Sequence, residues 1–340
     1  AKILKVKNLI ITNKKAYLNL SQNKLGNLKI YNNYDCFNKI FKKKIDYVMS
    51  SISGINGLIP TIKIIKFTKK IAIANKESII CGWNLIKKEL KKNNTKFIPV
   101  DSEHFSIWYG IKNNNDLIEK VFLTASGGPF LNLPFSKFKN IKIKEALKHP
   151  NWKMGKKISI DSATMMNKVF EIIEAKKIFK LNYKDLSILT HPESYIHAII
   201  KYKNGMIKLI AHETNMIIPI KNTLYENDYK IKSQSAKLEI SKLNNLNFKN
   251  ININKFPLIK IINSLPDKNS LYETVLVSAN DELVNLFLNK KISFTEINTK
   301  FQRILKQKEL LKYKKKLPKN VNEILKLAQY VRSNIISKSI

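Results

Sequence analysis

Arginine is nearly missing from this chain of 340 residues: Arg303 and Arg332 are the only two, although Lys and Arg together number 62 against 25 Asp and Glu. The formal net charge of +37 invites a nucleic-acid reading. Proteins that read bases or clamp phosphates recruit arginine for its bidentate fork, and here the cations are lysines spread along the chain among abundant Asn and Ile. That pattern is a bias towards A/T-rich codons, so no specific nucleic-acid partner is expected, only non-specific polyanion binding as a side effect. The two cysteines, Cys36 and Cys81, exclude a disulfide framework and a Cys-based metal site; both are expected as small buried hydrophobes, and a cytoplasmic compartment fits. No run approaches the roughly 18 apolar residues of a membrane span, and the start Ala1-Lys2-Ile3-Leu4-Lys5 carries no secretory h-region. Glycine is scarce, at nine residues, and no G-x-G occurs, so the dinucleotide-binding fingerprint is absent.

What is present suffices for a buried core: 44% of residues are hydrophobic, and the length suggests two or three domains. The first third alternates short apolar runs (27–31, 47–53, 70–75, 96–100) with amphipathic patterns (58–67, 77–92). Strands alternating with helices predict an α/β fold with a parallel sheet, as in a doubly wound domain lacking its first unit. The middle, from Asp101 to about Asn222, holds nearly all the unusual polar clusters, with strands predicted at 121–124, 186–189 and 206–211 and a long helix after Ser162. From about Phe248 the pattern becomes helical (271–289, 294–307, 321–336), punctuated by Pro266 and Pro318, and predicts a small helical bundle.

Four segments carry candidate chemistry. Asp101-Ser102-Glu103-His104 follows an apolar strand. If the chain stays extended, Asp101 and Glu103 point to one side, roughly 6.5–7 Å apart, and can converge on a hard cation. Alone, D-x-E is as well explained by solvated loop charges. Asp161-Ser162 can cap a helix whose N-terminus suits a phosphate, with Lys168 adding charge. Asn167 and Glu171 share a face with roughly 6 Å of rise between them. An ordinary capped helix with an exposed Lys–Glu pair explains that segment equally well. Ser126-Gly127-Gly128 after a strand reads either as an anion nest or as a tight turn before Pro129. His149-Pro150-Asn151-Trp152-Lys153-Met154-Gly155 reads either as a lid with Gly155 as its flexible point or as a loop anchored by Trp152, the commoner role of an isolated Trp.

Taken together these stretches resemble one family, the 1-deoxy-D-xylulose 5-phosphate reductoisomerases. The resemblance rests on Ala74-Asn75-Lys76-Glu77-Ser78, Pro99-Val100-Asp101-Ser102-Glu103-His104, Thr124-Ala125-Ser126-Gly127-Gly128-Pro129-Phe130, the His149 to Gly155 loop, and the run from Asp161 to Glu174. Weaker matches lie at His191-Pro192 and Ser278-Ala279-Asn280-Asp281-Glu282, and the resemblance is expected to run from about Asp46 to the end. It implies an NADPH-dependent oxidoreductase that rearranges 1-deoxy-D-xylulose 5-phosphate and reduces it to 2-C-methyl-D-erythritol 4-phosphate. It further implies Mg²⁺ or Mn²⁺ on Asp101, Glu103 and Glu171. Substrate would be held by Ser126, His149, Ser162, Asn167 and Lys168, mostly through its phosphate, and by Lys76, Ser102, Glu103 and Glu171 near the reacting carbons, with Trp152 closing over it. Lys76, Glu103 and His149 would be catalytic; Asn75, Glu77, Gly155 and Met216 would touch NADPH; His191 would lie near the site. The implied layout is an incomplete Rossmann-like NADPH-binding domain (1–100), an α+β catalytic domain with a lid loop (101–225), a linker (226–246) and a C-terminal helical bundle (247–340), assembled as a homodimer.

The sequence departs from the family at three places. The family opens with a Gly-rich strand–turn–helix, and this sequence begins after it. Val169 stands where a glycine is usual, and Ile217 where an arginine commonly follows the methionine. An alternative expectation follows: a catalytically impaired remnant that binds metal and sugar phosphate but not NADPH.

Overall fold

A computed structural model describes residues 3–22, 26–111, 117–225 and 238–339. Among the described residues, ten strands form three sheets. β1 (Asn8–Ile10) and β2 (Lys29–Tyr31) pair in parallel across a helix, Lys14–Ser21, that Asn13 caps by accepting from Ala16 N. The sequence pattern missed this first strand and helix, because three half-buried residues and a polar helix show little periodicity.

β3 (Ile45–Ser50), β4 (Thr68–Ile73) and β5 (Lys96–Pro99) form a parallel sheet in that order, where the alternation placed strands. Ile71, Ala72 and Ile73 are all buried, as a parallel strand covered on both faces requires. The helix Lys76–Lys92 leaves β4 through Asn75, whose side chain accepts from Ser78 N and donates to Gly54 O at 2.8 Å.

The second large sheet runs β10-β7-β6-β8-β9, built from β6 (Ile118–Ala125), β7 (Leu186–Thr190), β8 (Ile196–Tyr202), β9 (Ile207–Ala211) and β10 (Lys249–Asn250). Only β6 and β7 pair in parallel; the others are antiparallel. Val121, Leu123, Ala198 and Ile200 on this sheet bury against Ile107 and Ile172 from the helices Ser102–Gly110 and Met166–Phe179. A larger core joins the parallel sheet to the C-terminal helices Tyr272–Leu288, Phe294–Leu305 and Val321–Ser339, through residues such as Leu58, Ile80, Phe170, Val275, Phe301 and Ile324. Each such side chain contributes roughly 1.5–3 kcal/mol over leaving it exposed.

Two local expectations are corrected. Ser102 and Glu103 are not extended: they open the helix Ser102–Gly110, with Asp101 at its N-cap. Asp161 and Ser162 do not cap the long helix either; they close the preceding one, Lys156–Ala163. The two helices are separated at Met165, whose φ of 64° is left-handed, and the long helix Met166–Phe179 starts there without a side-chain cap. A buried non-glycine residue in that conformation stores roughly 1–3 kcal/mol of strain, a feature typical of functional sites. Most of the expected linker lies outside the described residues; residues 240–244 of it form a short helix.

Candidate active site

The carboxyl end of β5, the helix Ser102–Gly110 and the helix Met166–Phe179 bring Asp101, Glu103 and Glu171 together. One carboxylate oxygen from each lies within 4.8 Å of the others. Helix and cap, rather than an extended strand, produce that convergence. Two ammonium groups sit among them. Lys76 Nζ lies 2.9 Å from Asp101, 2.8 Å from Asn167 Oδ1 and 3.3 Å from Glu171. Lys168 Nζ contacts Glu103 and lies 2.6 Å from Glu171. Asn167 donates to Glu171, so the face that the four-residue spacing predicted is engaged rather than solvated.

Behind them lies a layer to which the sequence reading gave no role. His104 bonds the Glu171 carbonyl oxygen through Nε2 at 2.9 Å, while its Nδ1 faces Asp101 and Glu174 at 3.4 and 3.8 Å. A histidine and a glutamate on inward helix faces look like any other polar pair until tertiary packing joins them.

Burial and crowding set the charges. Burial, then Glu171, pushes Glu103 up to about 7 against the pull of Lys168. Burial lifts Glu174 to about 8 although His104 and Lys76 oppose it. Burial works against protonated His104, yet Glu174 and Asp101 raise it to about 9. Burial also opposes charge on Lys76, but Asp101, Glu171 and Glu174 hold it well above the usual lysine value. Asp101, despite burial, stays well below the usual carboxylate range because of Lys76 and His104. Once Glu103 and Glu174 ionise, at pH above about 8, the four carboxylates outnumber Lys76, Lys168 and His104.

A pH dependence follows. Glu103, Glu174 and His104 all have folded pKa values raised above their unfolded ones, so each contributes stability that is lost as pH rises through about 7, 8 and 9 respectively. The Asp101 window lies at the acid end and does not offset this. The melting temperature without divalent cation is expected to fall between pH 7 and pH 9, and added Mg²⁺ to recover more of it at pH 9. Melts that are flat with pH and indifferent to Mg²⁺ would contradict the surplus of negative charge.

Ser126, Gly127 and Gly128 leave β6 as a turn against the end of the helix Lys156–Ala163. A Cβ on Gly128 would come within 2.9 Å of Ser162 O, and both glycines have positive φ, 85° and 65°, so this close approach requires glycine. Ser126 Oγ accepts from Gly128 N at 3.1 Å and meets His149 Nε2 at 3.0 Å. His149 Nδ1 accepts from the Asn151 and Trp152 amides at 3.2 and 3.0 Å, so its proton sits on Nε2. Burial, with Lys168, lowers His149 to about 4 and keeps it a neutral donor at physiological pH. Trp152 lies edge-on to His197, at 6.1 Å between ring centroids.

Apart from His104, Glu174, Gly128 and Asn151, these residues line one cavity of about 540 Å³, together with Asn75, Glu77, Gly155, Ser162 and Met216. Within it, the Asn75 side chain is occupied in capping and Glu77 pairs through Oε1 with Lys157 at 2.8 Å. No atom lies within 4 Å of where a Cβ on Gly155 would stand. Val169, in the family's glycine position, is fully buried in the main core and does not line the cavity. His191 does not line it either: its Nδ1 donates to Asn247 O at 2.9 Å and its Nε2 accepts from the Tyr195 and Ile196 amides, which makes it a pin for the β7–β8 turn.

The sequence pattern of 1-deoxy-D-xylulose 5-phosphate reductoisomerase matches residues 1–82, its C-terminal domain matches 97–179, and a second DXP reductoisomerase C-terminal domain matches 212–334. The likeness therefore begins well ahead of Asp46, the start expected from motifs alone. The 1-deoxy-D-xylulose 5-phosphate reductoisomerase of Pelagibacter ubique (strain HTCC1062) is 58% identical over 344 residues, covering 100% of this chain and 88% of that protein. The one from Sulfurihydrogenibium sp. (strain YO3AOP1) is 39% identical, covering 82% of this chain and 74% of that protein. Among solved structures, DOX-P reductoisomerase in complex with NADPH, fosmidomycin and magnesium superposes with a TM-score of 0.89 at 30% identity, over 98% of this chain and 86% of that one. The Zymomonas mobilis enzyme in complex with NADPH gives a TM-score of 0.84 at 28% identity, with the same coverage. Matched along three segments and akin across its whole length to a named relative, this chain belongs to the 1-deoxy-D-xylulose 5-phosphate reductoisomerase family.

Proposed function

We propose that the chain rearranges 1-deoxy-D-xylulose 5-phosphate and reduces it with NADPH to 2-C-methyl-D-erythritol 4-phosphate, in the non-mevalonate isoprenoid pathway, through the cavity just described. The observation that carries this reading is the meeting of Asp101, Glu103 and Glu171 beside Lys76, Asn167 and Lys168 in one cavity. Three carboxylates are an all-oxygen donor set, which suits Mg²⁺ or Mn²⁺. The cation supplies Lewis-acid polarisation of the substrate's oxygens, and NADPH supplies the hydride.

The side chains do the rest. Lys76, held charged, is a fixed positive end beside the carboxylates rather than a proton donor. The hydroxyls of Ser126 and Ser162, with Asn167, Lys168 and neutral His149, whose Nε2–H meets Ser126 Oγ until an anion arrives, form a donor set for the phosphate; Ser102 and Glu103 stand nearer the reacting carbons. Asn75, Glu77, Gly155 and Met216 mark the NADPH side of the cavity, where Asn75 is occupied in capping and Glu77 is paired with Lys157. The loop 149–155 acts as a lid with Trp152 as its apolar cover, excluding water at the reacting carbons. The layout reads as a Rossmann-like NADPH domain at 1–100, a catalytic domain at 101–225 and a helical bundle from 247.

Loss of NADPH absorbance that requires both substrate and Mg²⁺ or Mn²⁺ tests this reading; no oxidation with either metal sinks it. Lys168→Met is expected to raise the substrate KM by about 10–100-fold, the loss of one charge-assisted contact to an anion, with a smaller change in kcat. An unchanged KM removes Lys168 from the phosphate site.

The chain further reads as a homodimer. Among the described residues β9 pairs only with β8, and this open edge carries exposed Met206, Ile207 and Leu209, with Ile217 and Ile220 exposed on the following helix Ile217–Leu224. An apolar open edge of this kind pairs readily with a second copy. Sedimentation velocity showing only monomer at micromolar concentration would refute it. No helix among the described residues is long and apolar enough to cross a membrane.

A further inference from the structure

The segment Ser278-Ala279-Asn280-Asp281-Glu282 belongs to the family pattern, yet no residue of it lines the cavity. It lies on the helix Tyr272–Leu288, and its contacts lead to Lys157. Lys157 Nζ lies 2.8 Å from Glu77, 3.1 Å from Asp161 and 3.0 Å from Asp281. Asn280 donates to Asp161 at 2.7 Å, and Asp281 also meets Arg332, on the helix Val321–Ser339, at 2.9 Å.

We infer that Lys157 is a positioning residue for the reaction: one ammonium that ties the first turn of the helix Lys76–Lys92, its own helix and the C-terminal helical layer into a single setting for Lys76. This rests on the proposed function of the same cavity.

Three observations support it. The first is placement. Glu77 is the chain neighbour of Lys76, which touches Asp101, Asn167 and Glu171, so holding Glu77 aims Lys76. Lys157 itself follows the loop 149–155 by two residues, at the point where the helix Lys156–Ala163 begins.

The second is electrostatic necessity. Three largely buried carboxylates from three elements share this one ammonium, with Arg332 helping only at Asp281. Removing the ammonium leaves like charges facing one another in low dielectric, which drives the elements apart.

The third concerns what Lys157 cannot do. Though its side chain is one-third exposed to the cavity, its charge is already answered by three anions. Asp161 and Asp281 are in turn held by Asn280 and Arg332, so the ammonium is one corner of a network internal to the protein. Lys157, tied to three separate helices, acts through position.

The test compares kcat, KM and melting temperature of Lys157→Met, Lys157→Arg and Asp281→Ala with the wild type, at saturating NADPH and Mg²⁺. Lys157→Met is expected to lower kcat about a hundredfold, the cost of a misplacement near 1 Å, with substrate KM changed less than threefold. Lys157→Arg restores the charge and brings kcat back towards wild type. Asp281→Ala, outside the cavity, lowers kcat by about tenfold through the same tie, an intermediate displacement. A kcat unchanged in Lys157→Met and Asp281→Ala, with only the melting temperature lowered, overturns the inference, as does an arginine variant no better than methionine. If Lys157→Met does not fold, Asp281→Ala decides: wild-type kcat there overturns the tie. A wild-type protein that never turns over refutes the proposed function instead, so the two failures are distinct.

Discussion

Glu171→Gln is expected to lower kcat by about a thousandfold, the loss of ~4 kcal/mol of transition-state stabilisation, while leaving the protein folded and the melting temperature no lower than wild type. Glu171 is the carboxylate on which the cluster turns: Lys76, Lys168 and Asn167 all reach it, and it belongs to the three-oxygen donor set. Glutamine keeps the shape and removes the charge. A buried charge normally costs several kcal/mol to strip of its partners. Above about pH 8 the sign is different, because the ionised carboxylates then outnumber the cations: Glu171 itself pushes up both Glu103 and Glu174. Neutralising it relieves that repulsion. Turnover and thermal melting of the purified variant decide the matter. Retained activity removes Glu171 from the metal site, and a collapsed melting temperature contradicts the surplus of negative charge.

Lys76→Met is expected to do the opposite to stability and nearly the same to activity. It removes the cation that Asp101, Asn167 and Glu171 share. Asp101, held ionised largely by Lys76, is left with His104 and Glu103 as its partners. Breaking a buried pair in this way costs about 3–5 kcal/mol. kcat/KM should fall at least about a hundredfold, since a fixed charge at the reacting centre is worth several kcal/mol where water is excluded. Lys76 is held far above any assay pH, so the pH profile of the wild type shows no limb from it. A Lys76→Met protein with wild-type melting temperature and activity would show that the ammonium is neither counter-ion nor catalytic charge.

The contrast between these two neighbours also shows how much of the site was legible beforehand. Asn167 and Glu171 could be placed on one face from spacing alone, because the helical period is local physics. Asp101 and Glu103 could be named as a pair, but the reason for their convergence was misread: a helix start at Ser102 aims them, not an extended chain. Asp161 and Ser162 were expected to cap the long helix, since Asp and Ser favour caps. The left-handed Met165, which lacks any such compositional signal, ends one helix and begins the next instead.

By itself the sequence determined the parallel sheet β3-β4-β5, the C-terminal helices and the family, because short apolar runs, helical stripes and long ordered motifs are written in residues adjacent along the chain. Only the tertiary structure decided that His104 and Glu174 back the carboxylates, that Asn75 and Glu77 have their side chains occupied, that His191 pins a turn, and that Asp281 reaches Lys157 across 124 positions of chain. Those contacts join residues far apart in the chain, and burial and charge act between them only once packing has brought them within a few ångströms.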